Sequence, residues 1–198
     1  MAITKVTGAM LGNYTGGSAD DTVVVGDGAG VAITTGVDNT ILGDSAGAAL
    51  TEGSSNTLIG HLAGDAITTV SFITAVGEKA LSANTSGQKN TAIGRAALQS
   101  ITSQDNNTAV GYNTLSGGSN TGGNNTAIGS DALSGNTTGD NNVALGYNAL
   151  ASNTTASSNV AIGRGALDAT TTGSSNTSVG DMSLSANTTG TRNIAVGA

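Results

Sequence analysis

Few side chains in this sequence are able to perform chemistry, and they are scattered. Its 198 residues include one histidine, His61, 13 Asp or Glu residues and no cysteine. A single histidine excludes a multi-histidine metal site within one chain, and the absence of cysteine excludes thiolate ligands and disulfides. The carboxylates fall on expected turns of a rod without a deep cleft, where a glycosidase pair has no place to act. We therefore expect no enzyme activity, catalytic residue, cofactor or metal.

Three smaller groups of residues are candidate binding sites. Gly26–Gly30 is glycine-rich like a phosphate or Ca²⁺ turn, but it lacks the Lys-Ser/Thr of a P-loop and the spacing of a calcium repeat. Asp27 and Asp44 each follow a glycine and are one repeat apart, which is a weak cation pattern; solvated surface is the preferred interpretation. Tyr112 and Tyr147 are able to stack on a sugar, although packing on the surface is the favoured explanation.

The charge pattern argues against two classes of partner. The net charge is −7, and the basic residues are too dispersed to form the positive face that binds nucleic acid or an anionic membrane. No apolar run approaches the roughly 18 to 20 residues that span a bilayer, so we expect no membrane insertion. Residues 1–20 lack the apolar stretch of a secretory signal. The basic residues are Lys5, Lys79, Lys89, Arg95, Arg164 and Arg192.

The element that must position these side chains is a repeat of 17 residues. Glycine recurs at this step, with a single step of 18 between Gly111 and Gly129. An aliphatic residue precedes each repeating glycine, and Asn lies four residues before it in nine of eleven repeats. One unit reads Asn-Thr-Ala-Ile-Gly-x-x-Ala-Leu, followed by a polar turn. The repeating glycines are Gly26, Gly43, Gly60, Gly77, Gly94, Gly111, Gly129, Gly146, Gly163, Gly180 and Gly197.

This unit predicts an all-β protein. Seventeen residues is too short for a helical repeat, which needs about 33 or more. Two apolar clusters separated by turn-formers are typical of a parallel β-solenoid, here with about eleven coils and two short strands per coil, in a rod roughly 50 Å long. We expect an N-terminal attachment or capping segment at 1–21, a first solenoid subtype at 22–72 and a second at 73–198. The second subtype is expected to continue or dock beyond residue 198.

The repeat also predicts what each column of residues does. The aliphatic residue before the glycine, such as Ile128 or Ile162, is expected to face inward, and the small Ala before it to permit close approach of another chain. The Asn column is expected to be structural, with amides bonded from rung to rung. A Thr column that includes Thr40 is assigned to the inside of the roll rather than to an ice-binding ladder. His61 is expected to be exposed.

Both faces of the expected strands are apolar. Ala92 and Ile93 are neighbours and must point in opposite directions, because strand side chains alternate. A coil of this size also has a thin core: about 1.5 to 3 kcal/mol per buried aliphatic side chain barely offsets roughly 1 to 2 kcal/mol of backbone ordering per residue. We therefore expect an obligate homo-oligomer.

The repeat units are similar to those of known fibrous proteins. Asn-Thr-Ala-Ile-Gly, Asn142–Gly146 and Asn159–Gly163 resemble the head repeats of YadA-type trimeric autotransporter adhesins. The longer form with Ala-Leu and Asn-Thr-Thr-Gly resembles repeats in bacteriophage tail fibres, and Ile3–Leu11 is similar to the start of such fibres. The resemblance covers residues 22–198 and implies a left-handed β-roll in an intertwined or side-by-side homotrimer. Unlike the adhesins, this sequence shows no signal peptide, coiled-coil stalk or membrane barrel.

From this resemblance we expect a structural fibre protein of a bacteriophage tail or appendage. It would be a rigid trimeric rod in the virion, attached to other tail or baseplate proteins. It would position, or contribute to, binding of a host cell-surface glycan or protein, through exposed turns such as Gly117–Gly123. The alternatives are the head of a bacterial trimeric surface adhesin, at the cell surface or outside the cell, and a self-stacking extracellular filament subunit.

Overall fold

The protein is a parallel β-solenoid, as predicted. The computed structural model describes residues 21–118 and 121–198. Within them, eleven three-residue strands pair in chain order to form a single parallel sheet. Register is kept throughout, with Val24 opposite Ile41 at one end and Ser178 opposite Ala195 at the other. The strands are β1 Val23–Val25, β2 Thr40–Leu42, β3 Thr57–Ile59, β4 Thr74–Val76, β5 Thr91–Ile93, β6 Thr108–Val110, β7 Thr126–Ile128, β8 Val143–Leu145, β9 Val160–Ile162, β10 Thr177–Val179 and β11 Ile194–Val196.

Each described coil contains one strand, so the prediction of two strands per coil is wrong. The second apolar cluster, Ala97-Leu98, lies in turn backbone. Leu98 has a φ of 51°, in the left-handed region that costs most residues about 1 to 2 kcal/mol. Coils still bond to one another there, because the N–H of Leu98 donates to the carbonyl of Thr114 at 3.0 Å. The inter-coil hydrogen bonding therefore extends beyond the strands into the turns.

The repeating glycine makes the corner that follows each strand. Its φ lies between 130° and 140° at every repeat, a conformation that is essentially restricted to glycine. The corners also stack closely along the rod. A Cβ atom on Gly146 would overlap the carbonyl oxygen of Gly163 on the next coil. Backbone conformation and close approach therefore both require glycine in this column.

Two columns of residues in the core, one at the strand centre and one four residues after the corner glycine, differ in size in a complementary way. In the second and third coils the strand centre is large, Ile41 or Leu58, and the position four residues after the corner is glycine. A Cβ on one such glycine, Gly47, would lie 2.8 Å from Cδ1 of Leu58. From β4 onward the strand centre is small, as at Ala75, and a leucine such as Leu81 occupies the other position, with both side chains fully buried. Each coil thus places one large side chain in this part of the core.

The two faces of the strands are the reverse of the sequence prediction. Ala127 is fully buried, whereas Ile128 is 39% exposed, and Ile162 is half-buried on the same outward side. The inward assignment of the Ile128 and Ile162 column is therefore wrong, and the alanine column contacts the core rather than another chain. The physical reason is space: the leucine after the corner fills the volume that Ile41 and Leu58 occupy in earlier coils, which leaves room only for a methyl group.

The threonine column also lies on the outer side of the sheet. Thr40 is exposed, and the threonines of the later strands are half-buried. The assignment of this column to the inside of the roll is therefore wrong, because the first and third residues of a three-residue strand share one face.

Candidate functional site

The buried asparagine column is structural, as predicted. Asn56 is 1% exposed. Its side-chain oxygen accepts a hydrogen bond from the N–H of Ile73 at 2.9 Å, and its Nδ2 donates to the carbonyl of Val70 at 2.9 Å. The same pattern recurs along the rod; for instance, the N–H of Asn159 donates to Oδ1 of Asn142 at 3.0 Å. These amides satisfy backbone groups inside the coil and present no ligand-binding surface.

A second buried asparagine column escaped the sequence analysis, which assigned these residues only to the polar turn between repeats. The side chain of Asn84 donates to the carbonyl of Gly87 and accepts from its N–H, both at 2.9 Å. The signal was the recurrence of Asn six residues before an asparagine of the first column, as in Asn136 before Asn142. These side chains close the turn from within. The fully buried members are Asn84, Asn136 and Asn153.

The outward side of the sheet, here called the strand face, consists of the first and third residues of β1 to β11. The third residue is aliphatic in every strand, and no residue of the face is buried. Ile93, Ile128 and Leu145 are each about two-fifths exposed. Threonine hydroxyls supply the polar groups of this face. The strand face is thus a continuous, mainly aliphatic surface that follows the rod over all eleven described strands.

The residues directly after the corner glycines form a second exposed line, the post-glycine column. Here charges pair between consecutive coils. Asp44 Oδ2 lies 3.4 Å from Nε2 of His61, whose side chain is 51% exposed as expected. Asp44, one of the two residues of the weak cation pattern, is therefore paired with His61. Within the described residues, no group of three or more His, Asp or Glu side chains is arranged to hold a metal. The column is Asp27, Asp44, His61, Glu78, Arg95, Tyr112, Ser130, Tyr147, Arg164, Asp181 and Ala198.

The strongest ion pair of this column joins Arg164 and Asp181. Nε and Nη2 of the guanidinium each lie 2.8 Å from a carboxylate oxygen. This two-bond contact lowers the pKa of Asp181 and raises that of Arg164. Both side chains are more than half exposed, so the pair orders the surface and adds little to stability.

An open cavity of about 480 Å³ lies between the turns of the third, fourth and fifth coils. Oδ1 of Asp65 is buried there without a hydrogen-bond partner. Burial raises the pKa of Asp65, and it outweighs the opposing effects of a backbone hydrogen bond, His61 and Lys79. The polar groups that line the cavity are a carboxylate, an ammonium group, a side-chain amide and two hydroxyl groups. Its lining is Leu62, Asp65, Lys79, Ser82, Ala83, Gln99 and Ser100.

Replacing Asp65 with asparagine is expected to raise the melting temperature near pH 7. A carboxyl whose folded pKa is raised stabilises the fold below its unfolded pKa of about 3.8, and this contribution is lost as pH rises through the folded value. The advantage of Asp65→Asn should therefore shrink as the solution is made acidic. Thermal unfolding followed by circular dichroism, at pH 7 and at a pH below 3.8, measures the change in melting temperature. An equal shift at the two values would contradict the assignment.

The turn expected to contact a receptor, Gly117–Gly123, is described in part, because residues 119 and 120 lie outside the described residues. Gly118 is exposed, and the N–H of Gly123 donates to Oδ1 of Asp140 on the next coil at 2.7 Å. The expected segment 1–21 lies outside the described residues except for Asp21.

Comparison with known proteins yields no match among family models, curated proteins or solved structures. Across the described ranges, no helix is long and apolar enough to cross a bilayer. The resemblance to fibre and adhesin repeats therefore enters the functional argument as a hypothesis.

Proposed function

We propose that this protein is a structural fibre of a bacteriophage tail or appendage, a rigid trimeric rod that positions or contributes to host receptor binding. The observation that carries the proposal is the strand face: an apolar stripe that runs the whole length of a slender rod. A stripe of this length suits lateral association of long partners better than capture of a small ligand. In this proposal the protein resides in the virion and is attached to other tail or baseplate proteins.

The partner proposed for the strand face is a second and third copy of the same chain. A second copy has the same 17-residue spacing, so each aliphatic residue of its strand face can lie opposite an equivalent residue of the first copy. Three copies arranged around an axis leave no strand face uncovered, because a closed ring satisfies every identical interface. Association would bury Ile93, Ile128 and Leu145, which are partly exposed in the single chain.

We expect the purified chain to sediment at three times 18.9 kDa. The double variant Ile128→Asp and Ile162→Asp should sediment as a monomer, because it places two carboxylates in each buried interface. It should keep the β circular dichroism of the parent, because both residues lie on the outer face. Ser130→Asp, a matched charge on the post-glycine column, should remain trimeric. A stable wild-type monomer would overturn the proposed trimer.

The biological setting needs a separate measurement. Gold-labelled antibodies against the protein should mark the tail or appendage of purified phage particles in electron micrographs. Label on the surface of bacteria instead would favour the alternative of an adhesin head. Label along free filaments would favour the self-stacking subunit.

Ice binding is the second candidate, and the outward position of the threonines favours it. Seven of the eleven strands begin with threonine, six of them in succession from β2 to β7, and these hydroxyls form a column beside the aliphatic one. This function requires the strand face to be open to solvent, whereas the trimer requires it to be covered. A monomer that produces thermal hysteresis in freezing solution would support ice binding; a trimer without hysteresis would exclude it.

A further inference from the structure

The described aromatic residues all lie on the surface. Phe72, Tyr112 and Tyr147 are 68%, 51% and 55% exposed, while the buried side chains are mainly aliphatic, with asparagine and a few threonines and serines. An exposed aromatic ring is the informative exception in a chain that is only 2% aromatic. Two of these three rings, Tyr112 and Tyr147, belong to the post-glycine column.

The tyrosines lie in a symmetrical order of side chains along that column. From Glu78 to Asp181 the order is acid, Arg, Tyr, Ser, Tyr, Arg, acid, with one residue per coil. Because neighbouring coils are about 4.8 Å apart, Tyr112 and Tyr147 project roughly 10 Å apart, with only Ser130 between them. We call this gap, with its serine base, the tyrosine notch.

An arginine occupies the next position of the post-glycine column beyond each end of the notch. The guanidinium carbon of Arg95 lies 5.6 Å from the ring centroid of Tyr112, and its Nε lies 3.2 Å from Oε2 of Glu78. Arg164 follows Tyr147 and is held by Asp181. Arg95 from the preceding coil thus lies against the Tyr112 ring, and Tyr112 is still about half exposed to solvent.

Polar groups fixed by hydrogen bonds lie at the base of the notch. The hydroxyl of Ser130 donates to Oδ2 of Asp131 at 2.9 Å, and Nδ2 of Asn113 donates to Oδ1 of the same carboxylate at 2.7 Å. The hydroxyl of Ser116 in turn donates to Oδ1 of Asn113 at 2.7 Å. The Asp131 carboxylate is thereby held against Ser130, the residue that lies between the two tyrosines in the post-glycine column.

Aromatic rings beside ordered hydrogen-bonding groups are the chemistry that recognises sugars. The C–H face of a pyranose packs on an aromatic face, while its hydroxyl groups bond to carboxylate, amide and hydroxyl groups. An acidic sugar fits poorly, because Asp131 lies at the base and both arginines are already paired with Glu78 and Asp181. A neutral sugar meets no such repulsion.

We propose that the tyrosine notch binds a neutral glycan, with a pyranose ring between Tyr112 and Tyr147 and its hydroxyl groups on Asp131 and Ser130. This deepens the proposed fibre function, on which it rests for its biological meaning, by naming the class of receptor. Binding itself requires only the folded coils from Arg95 to Asp181.

The test uses the full chain and defined probes. Cellohexaose, mannohexaose and chitohexaose are titrated by isothermal calorimetry, with dextran sulfate as the anionic probe. At least one neutral oligosaccharide should bind, and Tyr112→Ala and Tyr147→Ala should each weaken it about tenfold or more. Ser130→Leu should block the notch without unfolding the chain. Phe72→Ala, which removes an exposed ring elsewhere, is the matched control and should bind as the parent does.

Three results would overturn the proposal: no binding of the neutral probes, binding of dextran sulfate alone, or neutral binding that survives both tyrosine variants. Circular dichroism of each variant shows whether a loss of binding reflects unfolding. Sedimentation and particle labelling test the fibre function separately, so failure of the glycan site would leave those results unchanged.

Discussion

Replacing Gly146 with alanine is expected to destabilise the protein by about 3 kcal/mol or more. Two costs add at this corner. The φ of 137° lies in a region that costs other residues roughly 1 to 3 kcal/mol, and the new methyl group would overlap the carbonyl oxygen of Gly163. Moving the coils apart to relieve the overlap would weaken the backbone hydrogen bonds between them, such as that from the N–H of Gly163 to Leu145 at 2.8 Å.

Thermal and urea unfolding of Gly146→Ala measure this loss. Gly118→Ala is the matched control, because a Cβ on Gly118 has no atom within 4 Å. The free energy of unfolding of this control should lie within about 0.5 kcal/mol of the parent value, as it does for most surface substitutions. If Gly146→Ala has the same melting temperature as the parent, the corners are not stacked and the solenoid assignment is wrong.

The second large effect is expected from Asn56→Leu. The replacement keeps the size of the side chain but removes both of its hydrogen bonds. It leaves the N–H of Ile73 and the carbonyl of Val70 without partners, in residues that are 1% and 3% exposed. Each unpaired buried group costs about 1 to 3 kcal/mol, so a loss of roughly 2 to 6 kcal/mol is expected.

Two further variants sharpen this test. Asn56→Asp keeps an acceptor for the N–H of Ile73 and should protect that amide from hydrogen exchange better than Asn56→Leu does. Asn141→Asp changes an exposed residue with a φ of 57°, which Asp tolerates as Asn does, and should leave the melting temperature unchanged. Equal stability of Asn56→Leu and the parent would show that the asparagine column does not bond from rung to rung.

The period of the sequence was sufficient to predict the solenoid. When glycine, asparagine and an aliphatic residue each recur every 17 residues, every coil repeats the same backbone path and stacks in register on the next. The structural role of the asparagine column followed for the same reason, since a buried amide in each coil meets its equivalent one rung away. The exposed position of His61 was predictable in the same way, because the equivalent position of the other repeats, apart from the terminal Ala198, carries Asp, Glu, Arg, Tyr or Ser.

The direction of side chains was beyond the sequence. Ala127 and Ile128 are both apolar, so hydrophobicity does not decide which one points inward. That choice depends on how much space Leu133 leaves inside the coil. Likewise, Ala97-Leu98 has the composition of a strand, but closing a coil of 17 residues requires left-handed backbone at Leu98.

The sequence by itself determined the repeat, the parallel stacking and the line of residues that forms the post-glycine column, because these depend only on which residues are one period apart. The tertiary structure alone decided the apolar strand face, the unpaired oxygen of Asp65 and the hydrogen bonds that hold Asp131 beside the tyrosine notch. These features depend on the volume of the side chains and on how far they extend across a closed coil. The 17-residue period encodes neither of these two properties.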